Sequence, residues 1–407
     1  MRRCRAACAS TRRDGSADRA DAITAGRRRR GLFCAFVLAM LVLAGIAAAC
    51  SPARSLEAVR VLRDIEAGSR PSGLKAVTPT PARTFVRFGD GDAREGDLYL
   101  PGDPAKAGVV LVPGLTPRGR DDARLVDFAK TLARARFEVL VPDLPRLRAL
   151  RVAADDAAPI ADAVRFLGER APGRPLGIAA VSFAVGPAVI ALGEPGVHAD
   201  FFLGIGGYWD LEALITYVTT GFYRHDNGWV FRQPKAYGKW VFVLSNAARL
   251  GDARDAAILT GIAKRKLEDK DADIADLAGA LGPDGRAVYA LVSNVDPERV
   301  PGLLAALPPQ LGEEIGRLDL KRRDLTRAPA FFVLVHDRSD RIIPAEQSQA
   351  FAAAVAPGQA RVYLAGGLDH AQIKELGIGD ALSLFEAIHT LLRLRDADLR
   401  ADAPSPP

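Results

Sequence analysis

Four short apolar runs, separated by three stretches with helical spacing, constrain this 407-residue chain more than any other feature. They occupy residues 109–112, 137–141, 176–181 and 201–203. Runs this short and this apolar suit strands buried on both faces. Residues 121–132, 160–167 and 185–192 between them repeat apolar side chains at helical intervals, as Leu125, Phe128, Ala129 and Leu132 do. Strand–helix alternation implies right-handed crossovers and a parallel sheet covered on both faces. Two alternating segments upstream, 84–88 and 96–100 around an Asp/Gly turn at 89–91, predict an antiparallel pair leading into it. The expected class is α/β, with a doubly wound, mostly parallel sheet.

The alternation stops at Tyr208. Residues 209–329 carry helical periodicity and turn signals but few strand runs. Strands at 331–335 and 361–364, with helices at 344–355 and 371–394, then resume the pattern. A helical block between strands of one sheet predicts a large cap insertion. The expected organisation is a core at 84–208, a helical cap at 209–329, the second part of the core at 330–396 and a tail at 397–407. Upstream of the core, 51–83 reads as a short helix followed by a Pro/Ser/Thr-rich linker.

Charge and cysteine are both concentrated at the N-terminus. The formal charge is +6, but ten arginines and three aspartates give residues 1–30 a charge of +7, which leaves −1 for the rest. A neutral body argues against a nucleic-acid surface, which needs clustered Lys and Arg on the folded part. Cys4, Cys8, Cys34 and Cys50 are the only cysteines, so the body has neither a disulfide framework nor a cysteine metal site. The basic extension at 1–30 precedes an uncharged run at 31–49, the layout of a secretory signal or a membrane anchor. The run ends in Ala47-Ala48-Ala49-Cys50, which resembles a bacterial lipobox with alanine where leucine is usual. That resemblance implies lipidation of Cys50 and attachment to the membrane in the bacterial cell envelope, with the body outside the cytoplasm. A signal anchor or a simple cleaved signal fits the same residues.

Ser182 carries the chemical signal. It stands in Ala180-Val181-Ser182-Phe183-Ala184, after one apolar run and before a helical stretch. Small residues two places either side of a serine at a strand-to-helix turn form the pattern of a nucleophile elbow, with alanines in place of the usual glycines. A serine hydroxyl needs a base, and the chain has five histidines. His370 follows the last strand run on a Gly-rich loop, at the same sheet edge as Ser182, whereas His389 reads as a packing residue within a helix. Two carboxylates, Asp337 and Asp340, lie on the loop after the run at 331–335. Their alternative reading is a solvated turn partnered by Arg338 and Arg341.

The string His336-Asp337-Arg338-Ser339-Asp340-Arg341-Ile342-Ile343-Pro344 resembles the acid loop of the α/β-hydrolase superfamily, with Asp337 in place of a glycine. Together with the chain order Ser182, Asp340, His370, it points to the serine esterase and lipase-like branch with a helical cap. The resemblance implies a triad of Ser182, Asp340 and His370, with Asp337 and then Asp210 as alternative acids. It implies an oxyanion hole from the backbone amides of Phe183 and Leu115, the latter after Pro113-Gly114 where His-Gly is usual. It further implies an acyl-enzyme route on a small-molecule carboxylic ester, with Tyr208 and Trp209 lining the substrate pocket. An acyltransferase on the same triad and a non-catalytic binding protein of the same fold are the rivals. No metal constellation, phosphate loop or cofactor signature is present in the sequence.

Overall fold

A computed structural model describes residues 51–170, 172–225, 228–369, 372–373 and 377–398. Its eight-stranded sheet runs in the order β1-β2-β4-β3-β5-β6-β9-β10. The strands are β1 (Ala82–Phe88), β2 (Arg94–Leu100), β3 (Ala107–Val112), β4 (Phe137–Pro142), β5 (Leu176–Val181), β6 (Phe201–Ile205), β9 (Phe331–Asp337) and β10 (Ala360–Ala365). Only β2 runs against its neighbours; the other pairings are parallel. The sheet is therefore α/β and mostly parallel, as the apolar runs require.

Period-two alternation divides the core between the two faces. Val110, Val112, Ile178, Ala180, Phe202 and Leu334 join the cluster on one face, with helices α3 (Ala157–Arg170) and α4 (Val185–Ala191). Val109, Leu111, Ala179, Phe201, Val333 and Val335 face the other way. There they meet α2 (Ala123–Arg134), α10 (Ile378–Arg395) and the Ala58, Val61 and Leu62 side chains of α1 (Pro52–Ala67). Asp122 caps α2 by accepting from the Arg124 amide, which fixes where that helix starts. The closing helix begins at Ile378, later than its apolar pattern implies. Before it, Leu368–Asp369 and Gln372–Ile373 form a two-residue ladder instead of helix.

Residues 206–330 connect the neighbouring strands β6 and β9. They contain α5 (Leu211–Thr220), α6 (Ala236–Ala247), α7 (Ala253–Glu268), α8 (Pro283–Ser293) and α9 (Pro309–Leu318). These helices bury a cluster of their own, built on Ile215, Trp240, Val243, Ile262, Leu291 and Leu311. The insertion is mostly helical, as expected, and holds one hairpin. β7 (Phe222–His225) and β8 (Gly228–Phe231) pair as an antiparallel hairpin.

The two ends of the insertion are stitched side by side. The Tyr208 hydroxyl donates to the Leu318 carbonyl at 3.1 Å, the Leu211 amide to Asp319 at 3.1 Å and the Lys321 amide to the Trp209 carbonyl at 3.2 Å. Lys321 also pairs with Asp210 at 2.8 Å.

A second attachment joins α9 to the turn before α3. Glu314 accepts from the Ala154 amide at 2.8 Å and from Arg249 at 3.0 Å, and Arg317 pairs with Asp155. Asp156 beside them accepts from the Ala153 amide at 2.8 Å and from Arg146 at 3.0 Å. Burial pushes the Asp156 carboxyl up to about 6, against the opposing pull of the Ala153 amide and Arg146. The folded protein then holds this proton more tightly than the unfolded chain, whose aspartates titrate near ~3.9. Its contribution is largest below ~4, is lost as the pH rises to about 6, and amounts to at most about 3 kcal/mol. Urea midpoints for wild type and Asp156→Asn between pH 4 and 7 are expected to differ in slope over that window only. Parallel curves would show that Asp156 does not titrate there.

Candidate active site

β3, β5, β6 and β9 are adjacent and parallel, so their carboxyl ends share one edge of the sheet. Ligands of such sheets bind at that edge. Leu115 follows β3, Ser182 follows β5, Gly206 follows β6 and Asp340 follows β9, which sets their lateral order.

Ser182 begins a 3-10 turn, Ser182–Ala184, that leads directly into α4. Its φ is +59°, in the left-handed region that costs a side chain about 1–2 kcal/mol. Packing on both sides enforces this conformation. Ala180 and Ala184 are wholly buried, and α4 lies against the end of β6. At Gly186, one helical turn on, a Cβ would stand 2.0 Å from the Tyr208 hydroxyl. Only glycine lets α4 approach that closely. The alanines flanking Ser182 are small enough for the turn, and Ser182 itself is half-buried.

Gly114 places the loop after β3 beside the serine's strand. A Cβ there would lie 3.4 Å from the Val181 carbonyl oxygen. Neither the Leu115 nor the Phe183 amide has a hydrogen-bond partner among the described residues. Unused backbone donors at such an edge are what an oxyanion requires.

Asp340 sits on the far side of Gly206. Its Oδ2 is 3.8 Å from the point a Cβ on Gly206 would occupy. Oδ1 is tied down by the amides of Ile342 at 2.7 Å and Ile343 at 3.1 Å. Oδ2 lies 3.6 Å from Nε2 of His336 and keeps capacity to accept. Burial by itself would raise this carboxyl. The imidazole of His336 and the two amides outweigh it and hold Asp340 below the usual carboxylate range.

Sequence reasoning missed His336. It is buried, with Nε2 2.9 Å from the Ile343 carbonyl and Nδ1 2.7 Å from the Ser348 hydroxyl. Because a carbonyl only accepts, Nε2 carries a proton. His336 thereby braces both ends of the acid loop.

The other candidates occupy different places. Asp337 ends β9 and accepts from the Ser339 amide and hydroxyl, both at 2.7 Å. The arginines of the alternative reading bond elsewhere: Arg338 turns to Asp380 and the Leu364 carbonyl, while Arg341 reaches the Gln233 carbonyl. Asp210 caps α5 through the Ala213 amide and pairs with Lys321. Trp209 stacks on Phe351 in the core, with ring centroids 5.2 Å apart. Tyr208 does border a pocket, which Phe183, Leu214, Val218, Val241 and Phe242 also line. His370 and Cys50 lie outside the described residues, and β10 ends five residues before His370.

That pocket has a volume of about 40 Å³, room for roughly three water molecules. Sites for larger small molecules run to roughly 300 Å³ or more. In this conformation the pocket beside Phe183 is therefore too small for such a molecule.

Fold and site together define a doubly wound α/β protein with a capping insertion and a strained serine at a strand–helix turn. No protein-family sequence model matches the chain, and no curated protein does. Among solved structures it is similar to the G231F mutant of the rice cell wall degrading esterase LipA from Xanthomonas oryzae. Identity is 13%, over 76% of this chain and 87% of the esterase, with a TM-score of 0.46. It is similar also to a soluble variant of the monoglyceride lipase from Saccharomyces cerevisiae, at 13% identity over 80% of this chain and 99% of the lipase, TM-score 0.43. A dienelactone hydrolase from Anabaena variabilis matches 32% of this chain at 21% identity and a TM-score of 0.28. The match spans 65% of that hydrolase.

Proposed function

We propose that the chain is a serine hydrolase of the α/β-hydrolase superfamily acting on carboxylic esters. The observation that carries this reading is the positive φ of Ser182 at the β5–α4 junction, a strain that persists only where the surrounding packing enforces it. In this reading His370 takes the hydroxyl proton as Ser182 Oγ attacks the ester carbonyl. Asp340 Oδ2 orients the imidazole and stabilises its charged form. The Leu115 and Phe183 amides receive the oxyanion. Collapse expels the alcohol, which takes the proton from His370, and leaves an acyl-serine. Water then repeats the sequence to release the acid and restore Ser182.

The sequence reading of residues 31–50 supports an envelope protein held at the membrane through Cys50 lipidation or an anchor helix. No helix among the described residues is long and apolar enough to cross a membrane.

A fluorophosphonate probe tests the enzyme reading. It is expected to label wild-type protein on Ser182 and to block hydrolysis of p-nitrophenyl esters. Absence of an adduct on folded protein would falsify the reading in favour of a binding protein.

A further inference from the structure

One short stretch of the cap, residues 232–237, reaches both the acid loop and the loop after β3. Arg232 donates to the Asp340 carbonyl at 3.3 Å, and its second terminal nitrogen donates to the Tyr223 hydroxyl at 2.9 Å. The Lys235 amide donates to the Arg341 carbonyl at 2.7 Å, and Arg341 returns a bond to the Gln233 carbonyl at 2.8 Å. Two residues on, in the first turn of α6, the Tyr237 hydroxyl donates to the Leu115 carbonyl at 3.1 Å. Burial pushes the Tyr237 phenol up to about 12, so it keeps its proton and remains a donor at neutral pH.

The loop after β3 is otherwise tied mainly to itself. The Gly119 amide bonds the Thr116 carbonyl at 2.9 Å, and the Thr116 hydroxyl bonds Asp122 at 3.1 Å. Among the described residues, Tyr237 supplies the one hydrogen bond that this loop's Leu115 receives from the cap. The bond matters because of what Leu115 presents. Among the described residues its amide has no acceptor, and its carbonyl lies on the next peptide plane, across the same α-carbon. Anchoring that carbonyl from the cap side restrains the backbone rotations of Leu115 and thereby the direction in which its amide points.

We propose that Tyr237 is a positioning residue, whose hydroxyl orients the Leu115 amide for an oxyanion and does so only while the cap is seated. This rests on the hydrolase reading above. Closure over a substrate and completion of the site then become one event, since the same stretch of cap grips the acid loop.

The test compares full-length wild type and Tyr237→Phe, with competent serines counted by fluorophosphonate titration. Per titrated site, kcat on p-nitrophenyl acetate is expected to fall ~5- to 20-fold with KM within about twofold. Affinity for phenylboronic acid, which places a negative oxygen at the serine, is expected to fall by a similar factor. An unchanged kcat per titrated site overturns the proposal. So does a loss accounted for entirely by a smaller titratable fraction or a lower melting temperature, which marks a purely structural role. Failure of wild type itself to label or turn over overturns the hydrolase reading first, and is thereby distinguished from failure of Y237F to differ.

Discussion

Replacing Ser182 by alanine is expected to reduce ester hydrolysis by about 10⁴- to 10⁶-fold while leaving the protein at least as stable. The two halves of that expectation come from the same geometry. In the proposed mechanism the hydroxyl supplies the nucleophile, so its loss removes the acyl-enzyme route and leaves only what backbone donors and binding provide. The φ of +59° belongs to the backbone and persists in alanine. Glycine at 182 relieves it, gaining about 1–2 kcal/mol of strain against roughly 0.5–1 kcal/mol of extra unfolded-state entropy. Denaturation midpoints are therefore expected to rank Ser182→Gly above Ser182→Ala. Activity retained in the alanine variant would remove Ser182 from the mechanism. A glycine variant less stable than the alanine one would place the strain elsewhere.

The second large effect separates the two carboxylates on the acid loop. Asp340→Asn is expected to lower kcat by about 10³- to 10⁴-fold, because the new amide can still accept from Ile342 and Ile343 but no longer offers the second oxygen as an acceptor. Asp337→Asn is expected to cost less than about tenfold, since that side chain is engaged with Ser339. Equal losses, or the reverse order, would assign the acid to Asp337. Asp340 also carries a pH signature. With its carboxyl held below the ordinary value, it stabilises the fold above ~4, and that contribution disappears as the pH falls through the depressed value. The asparagine variant is expected to show a shallower acid limb in thermal unfolding.

Much of the scaffold was legible in the sequence because its signals are local. The run at 176–181 is apolar throughout and becomes β5, and Ala180 and Ala184 announce a tight turn through their size alone. The features that escaped are relations between distant residues. His336 reads as one more polar residue at a strand end until Ser348, Ile343 and Asp340 are seen around it. Tyr237 carries no local signal at all, since its hydroxyl meets Leu115 more than a hundred residues earlier. Trp209, close to the strand end in sequence, turns inward onto Phe351. The cap hairpin was hidden differently. Its strands are four residues each, too short for a period-two pattern to stand out, although Asp226-Asn227-Gly228 at the junction is a strong turn signal.

The stitching of residues 208–211 to 318–321 has a consequence for how such a protein diversifies. The insertion leaves and rejoins the sheet through two chain segments already in contact, and most of its helices bury a cluster of their own while α5 also packs into the sheet's. A graft made at Asp210 and Asp319 would exchange everything between them without cutting a strand pairing or touching Ser182. Such a graft would carry Arg232 and Tyr237 with it, so the segment that covers the sheet edge also brings its own fastenings to the loops there.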